Sequence, residues 1–203
     1  MKIAIIGATG NVGRRLVEEA LRRGHDVTAI ARGTSTLAPG PKLSLAQADA
    51  HDTAALAAAI AGHDAVVSSV KFQMVEPAEL IGAVRRSGVK RYLVVGGAGS
   101  LEVAPGSLLV DSPNFPSAYK EEATKGKLFL DALRGVDDLD WTLLSPSALF
   151  VAGERTGKFR LGTDSLLTAS DGKSWISYED YAVAMLDEIE QPKHIRRRFT
   201  VGY

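Results

Sequence analysis

A chain of 203 residues, 45% of them hydrophobic, has enough apolar sequence to fill the core of one ordinary domain and leaves little for a second. Lysine plus arginine and aspartate plus glutamate each number 24, so there is no field of one sign with which to hold nucleic acid or an acidic membrane surface. The absence of cysteine excludes disulfides, thiolate catalysis and cysteine-type zinc sites, and His25, His51, His63 and His194 lack ligand spacing, so no metal is expected. Met1 leads directly into the first strand and no apolar run reaches 18 residues, which predicts a cytoplasmic protein with a small-molecule substrate, its oligomeric state left open.

Ile3, Ile5 and Ile6 make a β-branched run suited to a strand buried on both faces, broken at Gly7. Gly7, Gly10 and Gly13 follow with the spacing G-x-x-G-x-x-G. That spacing allows a tight turn, close approach of the backbone to a diphosphate, and close packing of the next helix on the strand. The N–H groups of residues 10 to 13 and the positive end of the helix dipole favour an anion, so Gly7, Thr9, Gly10, Asn11, Val12 and Gly13 are candidate cofactor contacts. Val12, Leu16, Val17, Ala20 and Leu21 give the helix one apolar face, and Gly24 ends it. With the second strand DVTAIA after it, the unit predicts dinucleotide binding rather than a bare glycine turn. About 20 residues beyond the glycines, an acidic side chain usually meets a free ribose 2′-hydroxyl. Ala31 and Arg32 stand there instead, and a guanidinium suits a 2′-phosphate, so Arg32 points to NADP(H); the plain alternative is a solvated strand-end arginine.

Residues 33–42 form a polar, turn-rich loop beside the adenosine end of such a cofactor, where Thr34 and Ser35 can help hold the 2′-phosphate. A third strand over 43–48 leads to Asp49, a candidate border of the adenine, and to Asp52, the expected cap of a helix over 53–61. Residues 64–69 are a fourth strand, whose carboxyl end offers Ser68, Ser69 and Val70 as cofactor contacts; Lys71 is either a further contact or a solvated cation. A helix over 76–87 and a fifth strand over 90–95 precede a connection, 96–117, far longer than the usual two to six residues or so. A helix over 119–133 and a sixth strand over 141–144 follow, and Ser145, Pro146 and Ser147 leave that strand on the nicotinamide side. Residues 158–161 and 165–175, with Asp171-Gly172, read as short strands or a hairpin. Ser177 with Asp180 forms a capping box for a helix over 178–190. Residues 198–201 can be a last edge strand, with Arg196 to Arg198 as its solvated guard. The alternation predicts an α/β fold with a doubly wound parallel sheet, order 3-2-1-4-5-6 with a possible edge strand, in a single domain 1–203 with 151–177 as a small capping insertion.

GATGNVG, the Ser68-Ser69 strand end, and VVGGAGSLE after the fifth strand together resemble the atypical short-chain dehydrogenase/reductase proteins. The resemblance is to compact NAD(P)H-binding proteins similar to NADH-flavin reductases and biliverdin-IXβ (flavin) reductase, with NmrA-like redox sensors as further relatives. It implies a Rossmann fold and an NAD(P) cofactor, and such proteins often carry an NAD-dependent epimerase/dehydratase label. In the usual members a Tyr protonates the developing alkoxide and a Lys four residues later lowers its pKa. Tyr119 is the matching candidate, but position 123 is Ala. Lys120 points about 100° around the helix and Lys127 lies roughly 12 Å further along it. Ser100 in GGAGS matches the family's catalytic serine, though a serine after glycines also serves as a turn residue. The missing lysine turns the expectation from carbonyl or sugar chemistry towards hydride transfer from NADPH to a flavin, quinone or similar planar acceptor. The alternatives are a non-catalytic NmrA-like sensor that passes the redox state of NADP(H) to a protein partner, or a family-type epimerase/dehydratase.

Overall fold

The computed structural model of the protein describes residues 1–33 and 37–203. Its first half runs β1 (Lys2–Ile6), α1 (Asn11–Arg22), β2 (Asp26–Ala31), β3 (Leu43–Gln47), α2 (Thr53–Ile60), β4 (Ala65–Ser68), α3 (Pro77–Ser87) and β5 (Arg91–Val95). The second half adds β6 (Glu102–Ala104), β7 (Ser107–Leu108), α4 (Ser117–Arg134), β8 (Asp140–Pro146), β9 (Leu149–Val151), β10 (Arg160–Gly162), β11 (Trp175–Ser177), α5 (Tyr178–Glu190) and β12 (Arg197–Gly202). The main sheet has the order β3-β2-β1-β4-β5-β8-β12-β10. With β8 as the sixth strand of the expected order, this is the doubly wound sheet, and β1 and β4 are adjacent.

The strands are apolar on both faces because both faces are covered. Ile3, Ile5, Val67 and Leu93 pack under α1 and α5 with Leu16, Tyr181 and Met185, whereas Ala4, Ile6, Val66 and Tyr92 pack under α2, α3 and α4 with Leu56, Leu80 and Phe129. The carboxyl ends of β1, β4, β5 and β8 consequently lie side by side along one rim, which receives the glycine turn, residues 69–71, the 96–117 connection and the end of β8.

Several local expectations are corrected. The last strand is not at the edge: β12 runs parallel to β8 on one side and β10 pairs antiparallel on the other. Arg198 is accordingly buried rather than a solvated guard, because a side chain on that face points beneath the 96–117 connection. Of the two readings of 158–175, the short strands hold and the hairpin does not: β10 joins β12, and β11, which begins at Trp175, joins β9 in a separate parallel pair, fixed where the Leu149 N–H meets the Ser174 carbonyl. The long connection contains the short pair β6–β7. The capping box is half formed. Ser177 Oγ accepts from the Asp180 N–H, but the Asp180 carboxylate turns away to accept from the N–H groups of Thr156 and Gly157 and from the hydroxyls of Thr156 and Tyr203.

Helices α1 and α5 meet along a seam of charge. Glu19, 3% exposed, receives Arg23 and Arg155; Arg23 also reaches Asp187 and Glu190, and Arg15 pairs with Glu179. Burial by itself raises the Glu19 carboxyl, but hydrogen bonds from Arg155 and Arg23 outweigh it and hold the group below its ordinary range. Glu179 and Glu190 are lowered against the same burial effect, by Arg15 and by Arg23 respectively. A carboxylate with a depressed folded-state pKa adds stability that is present above its unfolded value and is lost as pH falls through the folded one. Thermal melts followed by circular dichroism should therefore show a melting temperature that declines below about pH 4.5 and declines less in Glu19→Gln. At neutral pH that substitution should cost about 1–3 kcal/mol, since it takes a carboxylate from Arg22, Arg23 and Arg155. Parallel pH profiles for parent and variant would contradict the assignment.

Candidate functional site

The glycine turn is built by contact. Gly7 has φ +79°, and a Cβ there would lie 2.4 Å from the Ser69 carbonyl oxygen, so a side chain is excluded by conformation and by space. Gly13, inside the first turn of α1, would place a Cβ 2.2 Å from the Gly7 carbonyl oxygen, which means the helix rests directly on the turn. Gly10 differs: its φ is −72°, and its Cβ would come no nearer than 3.3 Å to Gly7 O. What its missing side chain leaves clear is the outer surface of the turn, where Gly10 and Asn11 are exposed.

The expected anion donors are corrected by one. Gly10 gives its N–H to the Gly7 carbonyl at 3.1 Å, and the helical ladder begins with the Arg14 N–H on Gly10 O at 3.0 Å. Among the described residues the N–H groups of Asn11, Val12 and Gly13 meet no acceptor and no side chain caps α1. Three unpaired donors at a helix N-terminus, on a turn too close-packed for a side chain at Gly7 or Gly13, fit a dinucleotide diphosphate. Thr9 contributes main chain to this turn, its carbonyl accepting from Arg14 Nε at 3.1 Å.

Arg32 follows the last residue of β2 with its side chain exposed, and Gln47 Nε2 donates to its carbonyl at 2.9 Å. Asp49 is exposed beside it, accepting from the His51 N–H at 3.0 Å. Thr34 and Ser35 lie outside the described residues. The hydrogen bond that His51 donates to the Glu79 carboxylate raises the imidazole above its ordinary range, with Asp49 assisting and Arg32 opposing, so Arg32, Asp49 and His51 form one charged cluster at this end of the rim.

At the end of β4, Ser68 is buried and its Oγ is paired with Tyr92 OH at 2.9 Å, so what Ser68 can offer a ligand is main chain. Ser69 and Val70 back the Gly7 turn, and Lys71 is exposed. Ser145 and Pro146 do not leave the sixth strand but belong to it: β8 runs to Pro146, whose partner is Val201 of β12, and both residues are buried. Ser147 Oγ donates to the Val201 carbonyl at 3.1 Å, whereas Ser145 Oγ is fully buried and has no partner among the described residues.

The catalytic candidates part company. Tyr119, in the first turn of α4, is 66% exposed. Ala123, where the usual lysine stands, is pressed against the loop: a Cβ on Gly99 would lie 2.7 Å from Ala123 Cβ. Lys120 is engaged by the Val110 carbonyl and Lys127 by Asp131 at 2.7 Å, so neither is set to assist Tyr119. Ser100 is 8% exposed and accepts a hydrogen bond from Arg198. Sequence reasoning missed Arg198 because it stands in a run of three arginines; the alternation Arg198, Phe199, Thr200, Val201 was the available sign that its side chain faces inward. It also missed Glu122, which accepts from the Phe72 and Gln73 N–H groups and ties α4 to the loop after β4, and for which no sequence signal existed.

The sequence pattern of the NAD(P)H-binding family matches residues 7–192. The uncharacterized Bacillus subtilis protein YwnB is 39% identical over 209 aligned residues, covering 99% of this chain and 98% of the relative. A solved Burkholderia pseudomallei structure, provisionally named as an exported protein, is 47% identical with TM-score 0.90 and full coverage of both chains. A Streptococcus pneumoniae structure, provisionally named as an NADH-flavin reductase, is 34% identical with TM-score 0.88, covering 100% of this chain and 99% of that one. Among the described residues no helix is long and apolar enough to cross a membrane.

The different surroundings of two glycines separate folding from binding. Gly13→Ala must push α1 off the turn and should lower the melting temperature as well as the affinity for NADPH. Gly10→Ala is compatible with its backbone and should fold within about 1 kcal/mol of the parent, yet lose roughly tenfold in NADPH affinity by filling the diphosphate's approach. Melting curves together with titrations of NADPH fluorescence would check both; equal NADPH affinity in Gly10→Ala and the parent would remove the diphosphate from this turn.

Proposed function

The chain belongs to the NAD(P)H-binding family, and from that premise we propose that it is an NADPH-dependent reductase delivering hydride to a flavin, a quinone or a similar planar acceptor. The observation that carries this reading is the contact of Ala123 with Gly99, which occupies the place of the usual lysine and leaves Tyr119 exposed without a charged assistant. Reduction of a carbonyl compound generates an alkoxide that needs a positioned acid. Reduction of a flavin or quinone generates an anion already delocalised over the ring, which water can protonate. Bound NADPH supplies the hydride; the protein's own task is to fix two rings face to face and exclude competing geometries.

In this reading the N–H groups of Asn11, Val12 and Gly13 hold the diphosphate, and Arg32, with Asp49 bordering the adenine, holds the 2′-phosphate. The main chain of Ser68 to Val70 and the buried end of β8 at Ser145 and Pro146 border the nicotinamide. The provisional flavin-reductase name of the Streptococcus relative supports the acceptor class. We place the reaction in the cytoplasm, where reduced cofactor is regenerated.

NADPH should bind more tightly than NADH by about 1.5–3 kcal/mol, the worth of a charge-assisted contact, and Arg32→Glu should abolish or invert the preference. Equal dissociation constants for the two cofactors in the parent would remove Arg32 from this role. An absorbance assay of NADPH oxidation against flavins, quinones, aldehydes and nucleotide sugars tests the reaction itself. Turnover is expected with flavins or quinones, and Tyr119→Phe should cost less than the roughly 100-fold loss of a general acid. Turnover confined to carbonyl compounds with a large loss in Tyr119→Phe would overturn the proposal, and tight NADPH binding with no turnover would favour a redox sensor.

A further inference from the structure

On β12 Arg198 pairs in register with Leu143 of β8, and Thr200 with Ser145. Phe199 and Val201 enter the apolar layer under α1 and α5, so the alternating residues Arg198 and Thr200 face the other side, beneath the 96–117 connection and residues 164–167. Ser145, two residues beyond Leu143, shares that face. The Arg198 side chain is 4% exposed. Its Nε donates to Asp164 Oδ1 at 2.8 Å, Nη2 donates to the same oxygen, and Nη1 reaches both the carbonyl and the Oγ of Ser100 at 3.3 Å.

The Ser100 hydroxyl therefore accepts from a cation, and among the described residues its own proton has no acceptor. Ser145 Oγ, on the neighbouring strand, is a second hydroxyl on the same side of the sheet, fully buried and unpartnered. Ser100 follows the carboxyl end of β5 and Ser145 lies at that of β8, two adjacent strands of the rim. A hydroxyl that accepts from a guanidinium is a stronger donor in turn, and one held by a rigid fork needs little reorganisation when charge develops beside it.

We infer that Arg198, tethered by Asp164, is a positioning residue that holds the Ser100 hydroxyl as a hydrogen-bond donor to the acceptor oxygen that gains charge on reduction, with Ser145 as a second polar contact. The inference rests on the reductase reading. The hydrogen and both electrons reach the acceptor together, the charge settles on its carbonyl oxygen, and water supplies the neutralising proton. Ser100 keeps its own proton throughout.

The test compares Ser100→Ala, Arg198→Lys and the double variant in NADPH oxidation with FMN and menadione, alongside melting temperatures, NADPH affinity, and FMN affinity from fluorescence quenching with NADP⁺ bound. Each single variant should lose roughly tenfold in kcat, the worth of one hydrogen bond, and the double should lose no more than either. NADPH affinity should stay within about twofold of the parent, while FMN binding weakens in the same variants. Asp164→Asn, at a side chain 55% exposed, covers the case in which Arg198→Lys does not fold: its smaller kcat loss should vanish in the Ser100→Ala background. Losses that multiply, or an Arg198→Lys effect confined to melting temperature, would overturn the inference while leaving the reductase reading in place. A parent that binds NADPH and reduces neither acceptor overturns both.

Discussion

The structure depends on the approach of α1 to the turn after β1. Gly7 turns through a left-handed conformation against the Ser69 carbonyl, and Gly13 lets the helix rest on Gly7 itself. Without that approach, the first three N–H groups of α1 would not stand on the rim beside the ends of β4 and β5. The sheet order follows through: β4 has to be next to β1 for Ser69 to back the turn, and β5 and β8 extend the same rim.

The same economy of space leaves Tyr119 without the usual lysine. Gly99 and Ala123 touch, which draws α4 against the loop after β5 at the cost of the lysine that would activate Tyr119. Further along this face, polar contacts add to packing: Lys120 engages the Val110 carbonyl, Glu122 the loop after β4, and Arg198 both Ser100 and Asp164. The loop buries Leu101 and Val110, and charged side chains from neighbouring elements add directional contacts to that packing.

On the opposite face, buried carboxylates do comparable work. Residues 153–157 carry few apolar side chains, yet they are held to α1 and α5 by Glu19, Glu179 and Asp180 through Arg155, the Gly153 N–H, and the Thr156 and Gly157 N–H groups. Since Glu19 and Glu179 also pair with arginines of α1 and are both held below the ordinary range, residues 153–155 and the α1–α5 seam are expected to loosen together in acid.

The sequence by itself determined the order of elements, the parallel sheet and the cofactor turn. These are written in local patterns: runs of β-branched residues, an amphipathic helix from Asn11 to Arg22, and glycines whose spacing has one physical use. The absence of a lysine at position 123 was equally legible. Only the tertiary structure decided which hydroxyls are free. Ser68 is engaged by Tyr92 and Ser147 by Val201, whereas Ser145 has no partner among the described residues. Only it could show that Arg198, in a run of three arginines, is buried against Ser100 from a strand 98 residues away. Hydrogen-bond partners that distant leave no periodicity or spacing in the chain, because register between strands, not sequence order, brings them within reach.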